Sequence, residues 1–238
     1  MKTKRLLISI LCVFTIIFLS TCIEVLATTT GFSTEPIPDK ETFLINIKLS
    51  RFQIEPERKP LDCFDVNENK MFAVGYSRHE RKTVCVYSKK VDFMYGYEFE
   101  CSGDFGVELK DNNTLSIYFV RSHVALDIDE KGEIESVSKI LDTTDNNSYW
   151  NNNVSTSKRK VGDTLYQLKN DMGIFNIFAT SYSRLSALNE NGEETILYDS
   201  GTNYLSFIIK TIIFIFFISA VVTCIIKQHR KTKNNSQC

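Results

Sequence analysis

The stretch that decides the fold is CFDVNENKMFAVGYSRHERKTVCVYSKKVDFMYGYEF, which runs from residue 63 to residue 99. Four apolar segments, each about as long as a β-strand, alternate in it with short polar or charged turns. Turns this short join strands that pair antiparallel. The stretch therefore predicts one four-stranded antiparallel meander, with strands at residues 61–66, 71–77, 83–88 and 92–99.

The last of these strands predicts how the meander packs. Its aromatic residues alternate with other residues, which is the period of a strand with two different faces. One face carries Phe93, Tyr95, Tyr97 and Phe99. A single meander is not stable with its apolar face exposed, so we expect this aromatic face to pack against a second copy of the same unit.

Two further sets of four strands follow the first. The second set is predicted at residues 105–110, 114–120, 122–128 and 133–139, and the third at residues 164–170, 173–179, 183–189 and 194–199. Residues 173–179 also fit helical spacing. A polar run at residues 143–158 reads as an inserted loop. The sequence thus predicts a mainly β domain over residues 61–200, built from antiparallel four-stranded meanders.

The three sets share a turn sequence. YSKKVDF at residues 87–93 aligns with IDEKGEI at residues 128–134, and LNENG at residues 188–192 continues the series. A period of about 40–45 residues with four strands is the size of a propeller blade. These residues resemble the blades of bacterial β-propellers of the WD40 or YVTN type.

Three longer phrases extend the resemblance. NNSYW, LKNDMGIFN and YSRLSALNENGEETILYD are similar to uncharacterised membrane-anchored bacterial proteins built from such blades. The resemblance covers residues 61–199, and it implies a propeller-like fold with no known activity.

Three blades are too few for an ordinary closed ring, because closed propellers have four to eight. The alternating run at residues 42–54 reads as a strand and would supply part of a fourth sheet. A second alternative is an open, curved stack whose edge strands need cover. The third is a homodimer in which two chains complete the ring.

Two apolar segments predict a membrane protein. Residues 1–27 form a basic start and an apolar run, which is either a cleaved signal peptide or a retained N-terminal anchor. Residues 204–226 predict a transmembrane helix, and a basic tail at residues 227–238 follows it. The positive-inside rule places both basic ends in the cytoplasm of a bacterial cell. We therefore expect residues 28–203 outside the cell membrane, with residues 28–60 as a tether that carries one strand.

The charge of the exported part argues against one class of partner. Residues 28–203 contain 20 Lys and Arg against 28 Asp and Glu, a net charge of −8, although the whole chain has −1. A domain this acidic repels phosphates, so nucleic acid is excluded as the expected partner.

No motif predicts catalysis, a metal site or a cofactor. His79, His123 and His229 have no metal-ligand spacing, and the sequence has no Gly-rich phosphate loop, GxSxG or HExxH. Cys63 and two other exported cysteines, Cys85 and Cys101, fit either one disulfide with a spare thiol or three buried small apolar side chains.

The insert supplies the candidate contact residues. Tyr149 and Trp150, the only tryptophan, stand in a run of Asn, Ser and Thr. An aromatic pair on a polar loop is typical of binding loops, but it is also typical of side chains that fold back over an edge. We therefore expect a non-enzymatic module that binds a partner or ligand outside the membrane. The alternatives are an accessory subunit that acts through its membrane helices and a hydrolase that uses carboxylates.

Overall fold

The computed structural model describes residues 31–170 and 181–201, together with residues 209, 211–217 and 219 of a C-terminal helix. Fourteen strands in this part of the chain form three antiparallel sheets. The prediction of a mainly β fold made of antiparallel meanders is confirmed, and the sheets form an open arrangement rather than a closed ring.

The N-terminal segment forms three short elements, which are β1 (Thr34–Pro36), helix α1 (Lys40–Ile47) and β2 (Ser50–Phe52). The strand predicted at residues 42–54 is therefore wrong over its first half. The Asp39 side chain accepts a hydrogen bond from the Thr42 amide and caps the helix, and Lys48 ends it in the left-handed conformation. The helix buries Ile47 and packs Phe43 and Leu44 on the core, a helical spacing rather than the period of two that the alternation predicted.

Sheet 1 contains the meander predicted from residues 63–99. Its strands are β3 (Cys63–Val66), β4 (Phe72–Arg78), β5 (Arg81–Tyr87) and β6 (Phe93–Glu100). Strand β2 pairs with β6 as a fifth strand. In the described chain, residues 50–52 thus extend sheet 1 instead of starting a fourth sheet.

Sheet 2 has the same plan. Its meander strands are β7 (Phe105–Leu109), β8 (Leu115–Phe119), β9 (Val124–Ile128) and β10 (Ile134–Ile140). Strand β1 pairs antiparallel with β10 as the fifth strand. After β10 the chain forms helix α2 (Thr144–Tyr149) and a π-helical turn (Trp150–Val154). The predicted polar loop is therefore largely helical.

Sheet 3 begins one strand earlier than predicted. Its strands are β11 (Lys158–Val161), β12 (Thr164–Lys169), β13 (Arg184–Leu188) and β14 (Glu194–Asp199). Strand β12 pairs directly with β13. The strand predicted at residues 173–179 lies outside the described residues.

Sheet 1 is the central layer of the molecule. One of its faces, which includes Val84, Tyr97 and Phe99, shares a core with sheet 2 and helix α1. Its other face, which includes Phe64 and Val74, shares a second core with sheet 3. The spatial order of the sheets is therefore 2-1-3. Burial on both faces explains why β3, β4 and β5 are apolar almost throughout.

A β-bulge corrects the predicted aromatic face of β6. Tyr95, Tyr97 and Phe99 lie in the core between sheets 1 and 2, as predicted. The register between β5 and β6 shifts near Met94, where Val86 pairs with Tyr95 but Tyr87 pairs with Phe93. The extra residue moves Phe93 to the opposite face, where its ring lies 5.7 Å from that of Tyr87. The prediction that Phe93 shares the face of the other three is wrong.

The aligned turn sequences form the same turn in all three sheets. In each, the fifth aligned residue donates its amide hydrogen to the carbonyl oxygen three residues earlier, at 2.9–3.1 Å. Gly132 and Gly192 occupy this position with φ of 97° and 79°, and Val91 occupies it with φ of 69°. Valine rarely adopts this conformation, so the first copy of the turn carries local strain.

Three cysteines of the described chain, Cys63, Cys85 and Cys101, are free. Cys63 and Cys85 are buried, and Cys101 is half-buried. Burial raises the pKa of all three thiols above the ordinary value, which keeps them protonated.

We expect Gly96→Ala to detach β2 from sheet 1. A Cβ on Gly96 would lie 2.2 Å from the Phe52 ring and 2.7 Å from the Val84 carbonyl oxygen. Overpacking of this kind costs roughly 1–3 kcal/mol, which urea denaturation would measure. The double variant Phe52→Ala/Gly96→Ala has no ring for the new Cβ to clash with. Its loss of stability should therefore be smaller than the sum of the losses in the two single variants. Strict additivity of the two losses would contradict the explanation.

Most residues of the two predicted membrane segments lie outside the part of the chain that the structure describes. Residues 1–27 lie outside the described residues, as does most of 204–226. Among the residues described, no helix is both long and apolar enough to cross a bilayer. The described part of the C-terminal helix is exposed and apolar, and it includes Ile212, Ile213 and Phe214.

Candidate functional site

A cleft of about 660 Å³ lies on the face of sheet 2 that points away from sheet 1. Strands of all three sheets and the insert contribute to its wall. The lining of the cleft includes Phe32, Asp65, Glu108, Lys110, Tyr118, Asp127, Ser136, Tyr149 and Arg159.

The inner end of the cleft is the junction of the three sheets. Asp65 of β3 accepts hydrogen bonds from its neighbour's amide, Val66 N, and from Leu109 N of β7, both at 2.6 Å. Arg159 of β11 forms an ion pair with it, with Nε 2.7 Å from Oδ1. The Nε–H is not aligned for a hydrogen bond to that oxygen, so the contact is an ion pair only. One carboxylate on the first meander strand of sheet 1 thus contacts the first meander strands of sheets 2 and 3, β7 and β11.

Burial makes Asp65 unusual among the carboxylates. Only 5% of its side chain is exposed. Burial raises its pKa to about 7, while the Arg159 charge and the hydrogen bond from the Leu109 amide oppose the rise. Asp65 therefore changes charge near neutral pH, which an exposed aspartate does not.

A carboxylate held by two tyrosines forms one wall of the cleft. Tyr118 of β8 and Tyr149 of α2 donate their hydroxyl hydrogens to the two oxygens of Glu108. Burial, and then the neighbouring Glu108 charge, raise the pKa of both hydroxyls, so they stay protonated and act as donors. The Phe32 ring packs edge-on against both tyrosine rings, with centroids 4.8 and 4.7 Å away.

A second carboxylate is fixed on the same sheet face. Asp127 of β9 accepts hydrogen bonds from Ser116 Oγ at 2.6 Å and Ser136 Oγ at 2.9 Å. The Lys110 ammonium lies 3.1 Å from Oδ2, the oxygen that also accepts from Ser136. These donors fix the carboxylate before any ligand arrives, because three neighbours on β8, β10 and the β7–β8 turn hold it.

The cleft as a whole is acidic. Five carboxylates line it, which are Asp65, Glu68, Glu108, Asp111 and Asp127. Two cationic side chains, Lys110 and Arg159, oppose them. With every carboxylate ionised, the lining carries a net charge of −3, and its hydrogen-bonding groups are mainly acceptors. The cleft therefore favours a ligand that is positively charged and rich in donors.

The predicted contact residues flank this cleft. Tyr149 lines it, and Trp150 packs beside it against Gly106 and Val154, with both aromatic residues half-buried. A Cβ on Gly106 would lie 2.3 Å from Val154 and 2.9 Å from the Trp150 ring. Buried Asn146 also fixes the insert. Its side-chain oxygen accepts a hydrogen bond from the Ser33 amide, and its side-chain nitrogen donates one to the Ser33 carbonyl, both at 2.9 Å. A direct partner contact by Tyr149 or Trp150 stays a prediction.

The sequence did not single out Asp65, Glu108, Asp127 or Arg159. Alternation along β9 places Asp127 on the face opposite the buried Leu126. Arg159 directly follows the polar run of residues 143–158 and lies in β11, a strand that the sequence does not predict. For Glu108 the sequence signal was its outward position between the two buried residues Val107 and Leu109.

Comparison with known proteins gives little further information. No protein-family model matches the chain, and no curated protein matches it. Among solved structures, the chain is similar to a catalytically inactive virginiamycin B lyase from Staphylococcus aureus with quinupristin, at a TM-score of 0.26 and 9% sequence identity. The match covers 62% of this chain and 59% of that one. A superposition of this quality carries no argument about the present protein.

Proposed function

We propose that the chain is a non-enzymatic binding module, in which a propeller-like β domain presents the acidic cleft to a ligand outside a bacterial cell membrane. The observation that carries the proposal is the set of carboxylates fixed by their own neighbours. Glu108 is held by two tyrosines, and Asp127 is held by two serines and a lysine. Such preorganisation lowers the entropy cost of binding, because the groups are already in place.

The charge of the lining indicates the ligand class. A small organic cation with ammonium or guanidinium groups would offset the net charge of −3 and would donate to the remaining carboxylate lone pairs. The aromatic wall of Phe32, Tyr118 and Tyr149 would suit the apolar part of such a ligand. The lining thus fits a ligand with separated cationic and apolar parts.

The membrane part of the proposal is supported by the sequence of the two ends. An apolar run of about 20 residues is long enough to cross a bilayer, and residues 204–226 with their basic tail have this character. A chain in which an unrelated membrane anchor replaces residues 204–226 should keep ligand binding. Loss of function in that chain, with ligand binding intact, would favour the accessory subunit that acts through its membrane helices.

We expect Glu108→Gln to weaken binding of spermidine by roughly ten- to hundredfold, since one charge-assisted hydrogen bond is worth about 1.5–3 kcal/mol. Isothermal titration of the full chain in detergent would give the affinity. Trp150 provides an optical signal, because it is the only tryptophan and packs beside the cleft.

Two controls make this test specific. Glu133→Gln removes the same charge from an exposed turn outside the cleft lining and should leave the affinity within about twofold. Succinate, a dianion of similar flexibility, should not bind. Equal weakening by Glu108→Gln and Glu133→Gln would show that only the overall charge matters, and binding of succinate would contradict the assigned ligand class.

One observation supports a second candidate, a carboxylate-dependent hydrolase. Asp65, whose pKa is about 7, and Glu108 line the same cleft, and two carboxyl groups in different environments are the usual arrangement for acid–base catalysis. Against it, the Asp65 carboxylate already bonds two backbone amides and pairs with Arg159. Turnover of glycosides or peptides that is lost in both Asp65→Asn and Glu108→Gln would establish the hydrolase.

A further inference from the structure

Sheet 3 has one strand fewer than the other two sheets. In sheets 1 and 2, the last meander strand pairs with an extra strand from the N-terminal segment, β6 with β2 and β10 with β1. The corresponding strand of sheet 3 is β14, and among the residues that the structure describes no strand pairs with its outer edge. That edge presents backbone N–H and C=O groups to which a further strand can bond.

The side chains of β14 leave this edge accessible. Glu194, Thr195 and Ile196 are exposed, and Ile196 keeps 49% of its surface in solvent. The inner half of the strand is fixed, because Tyr198 is buried in the core between sheets 1 and 3. A pairing strand would therefore meet a rigid edge and cover apolar surface on Ile196.

The charges at one end of β14 favour an incoming strand of positive charge. Glu190, Glu193 and Glu194 are exposed there, and Lys169 pairs with Glu194 at 2.8 Å. One lysine against three carboxylates leaves a local charge of −2. A strand with Lys or Arg at this end would be attracted, and an acidic strand would be repelled.

The same charges disfavour a second copy of this chain as the partner. Antiparallel pairing of β14 with itself would place Glu194 of each chain opposite Asp199 of the other. Like charges directly opposite one another destabilise a strand pair. The partner that fits the edge is thus a different, basic chain.

We propose that the outer edge of β14 is a docking site for a basic extended segment of another protein, which joins sheet 3 as its fifth strand. Main-chain hydrogen bonds would supply affinity, and the three glutamates would supply the preference for positive charge. The site lies on a different sheet from most of the acidic cleft, and the proposal does not depend on the cleft ligand.

Two synthetic peptides test the proposal on the full chain in detergent. One is Lys-Val-Lys-Val-Lys-Val, and the other is Glu-Val-Glu-Val-Glu-Val. We expect the lysine peptide to slow hydrogen exchange of the amides between residues 194 and 199 by roughly tenfold or more, and the glutamate peptide to leave it unchanged. Protection by neither peptide, equal protection by both, or protection confined to another sheet would overturn the proposal.

Variants distinguish the contribution of main-chain pairing at the β14 edge from that of the glutamate charges. Ile196→Lys places a charge on the edge and should abolish protection, whereas Ile54→Lys changes an isoleucine that is 85% exposed elsewhere and should not. Glu190→Gln/Glu193→Gln keeps the edge but should reduce the preference for the lysine peptide to within about threefold. An unchanged preference in this double variant would overturn the assigned charge selectivity. A dimer mediated by β14, seen by sedimentation without peptide, would also overturn the choice of partner.

Discussion

Replacing Arg159 with methionine is expected to lower the free energy of unfolding by about 3–5 kcal/mol at pH 8, because the change leaves the Asp65 carboxylate buried and unpaired. The loss should be smaller at pH 5. The pKa of Asp65 is already raised to about 7 in the folded chain, so between pH 4 and pH 7 the native state holds a proton that the unfolded chain has lost. Stability from this group therefore falls as the pH rises through that range. Without Arg159 the pKa rises further, and the penalty at pH 8 grows.

Urea denaturation of the Arg159→Met variant at pH 5 and pH 8 measures both effects. Lys139→Met is the matched control, because Lys139 forms an exposed ion pair with Glu35 at 2.9 Å. Exposed pairs contribute about 0–1 kcal/mol, so this variant should change little at either pH. An equal loss at pH 5 and pH 8 in the Arg159 variant would show that the ion pair is not what the substitution removes.

Phe99→Ala is expected to cost about 3–5 kcal/mol, the usual range for truncation of a buried phenylalanine. The Phe99 ring lies between sheets 1 and 2, with ring centroids 5.5 Å from Phe105 and 5.2 Å from Phe119. Helix α1 and both sheets meet around it, so the cavity cannot close without moving an entire element.

Phe93→Ala is the comparison that tests the bulge. Both phenylalanines belong to the stripe predicted from alternation, but the bulge places Phe93 on the other face, where it is half-buried. We expect its truncation to cost about 1–2 kcal/mol, in proportion to the smaller area that it buries. Chemical denaturation of the two variants gives both values, and equal losses would contradict the smaller stabilisation expected of Phe93.

The sequence predicted those parts of the fold that depend on local pattern. Turns such as Asn112-Asn113, between β7 and β8, separate the apolar runs, and the predicted strands of sheets 1 and 2 agree with the observed ones to within two residues at every end. Strand β11 was missed because its residues, Lys158-Arg159-Lys160-Val161, have no apolar pattern. It forms through pairing with β12 and through the contact between Arg159 and Asp65. Helix α1 was missed because its side chains also satisfied a period of two.

The candidate site was not predictable from local pattern, since its residues come together only in the tertiary fold. Asp65 and Arg159 are 94 positions apart and meet because sheet 3 packs on sheet 1. Glu108 could be assigned to the outer face of β7 by alternation. Nothing in the neighbouring sequence indicated that Tyr149 would bond it, because that contact spans 41 positions.

The central position of sheet 1 has a consequence for the growing chain. Sheet 2 follows sheet 1 directly and can cover one of its faces as soon as residue 140 has been made. Within the described part of the chain, the other face, with Phe64, Phe72 and Val74, is covered by the strands of sheet 3, which begin at residue 158 and end at residue 199. A chain whose synthesis stops between residues 140 and 199 has a complete sheet 1, but the apolar face that sheet 3 covers is still exposed. Such an intermediate is prone to aggregate, so synthesis of the last 40 or so residues of the domain is the step at which a chaperone would matter most.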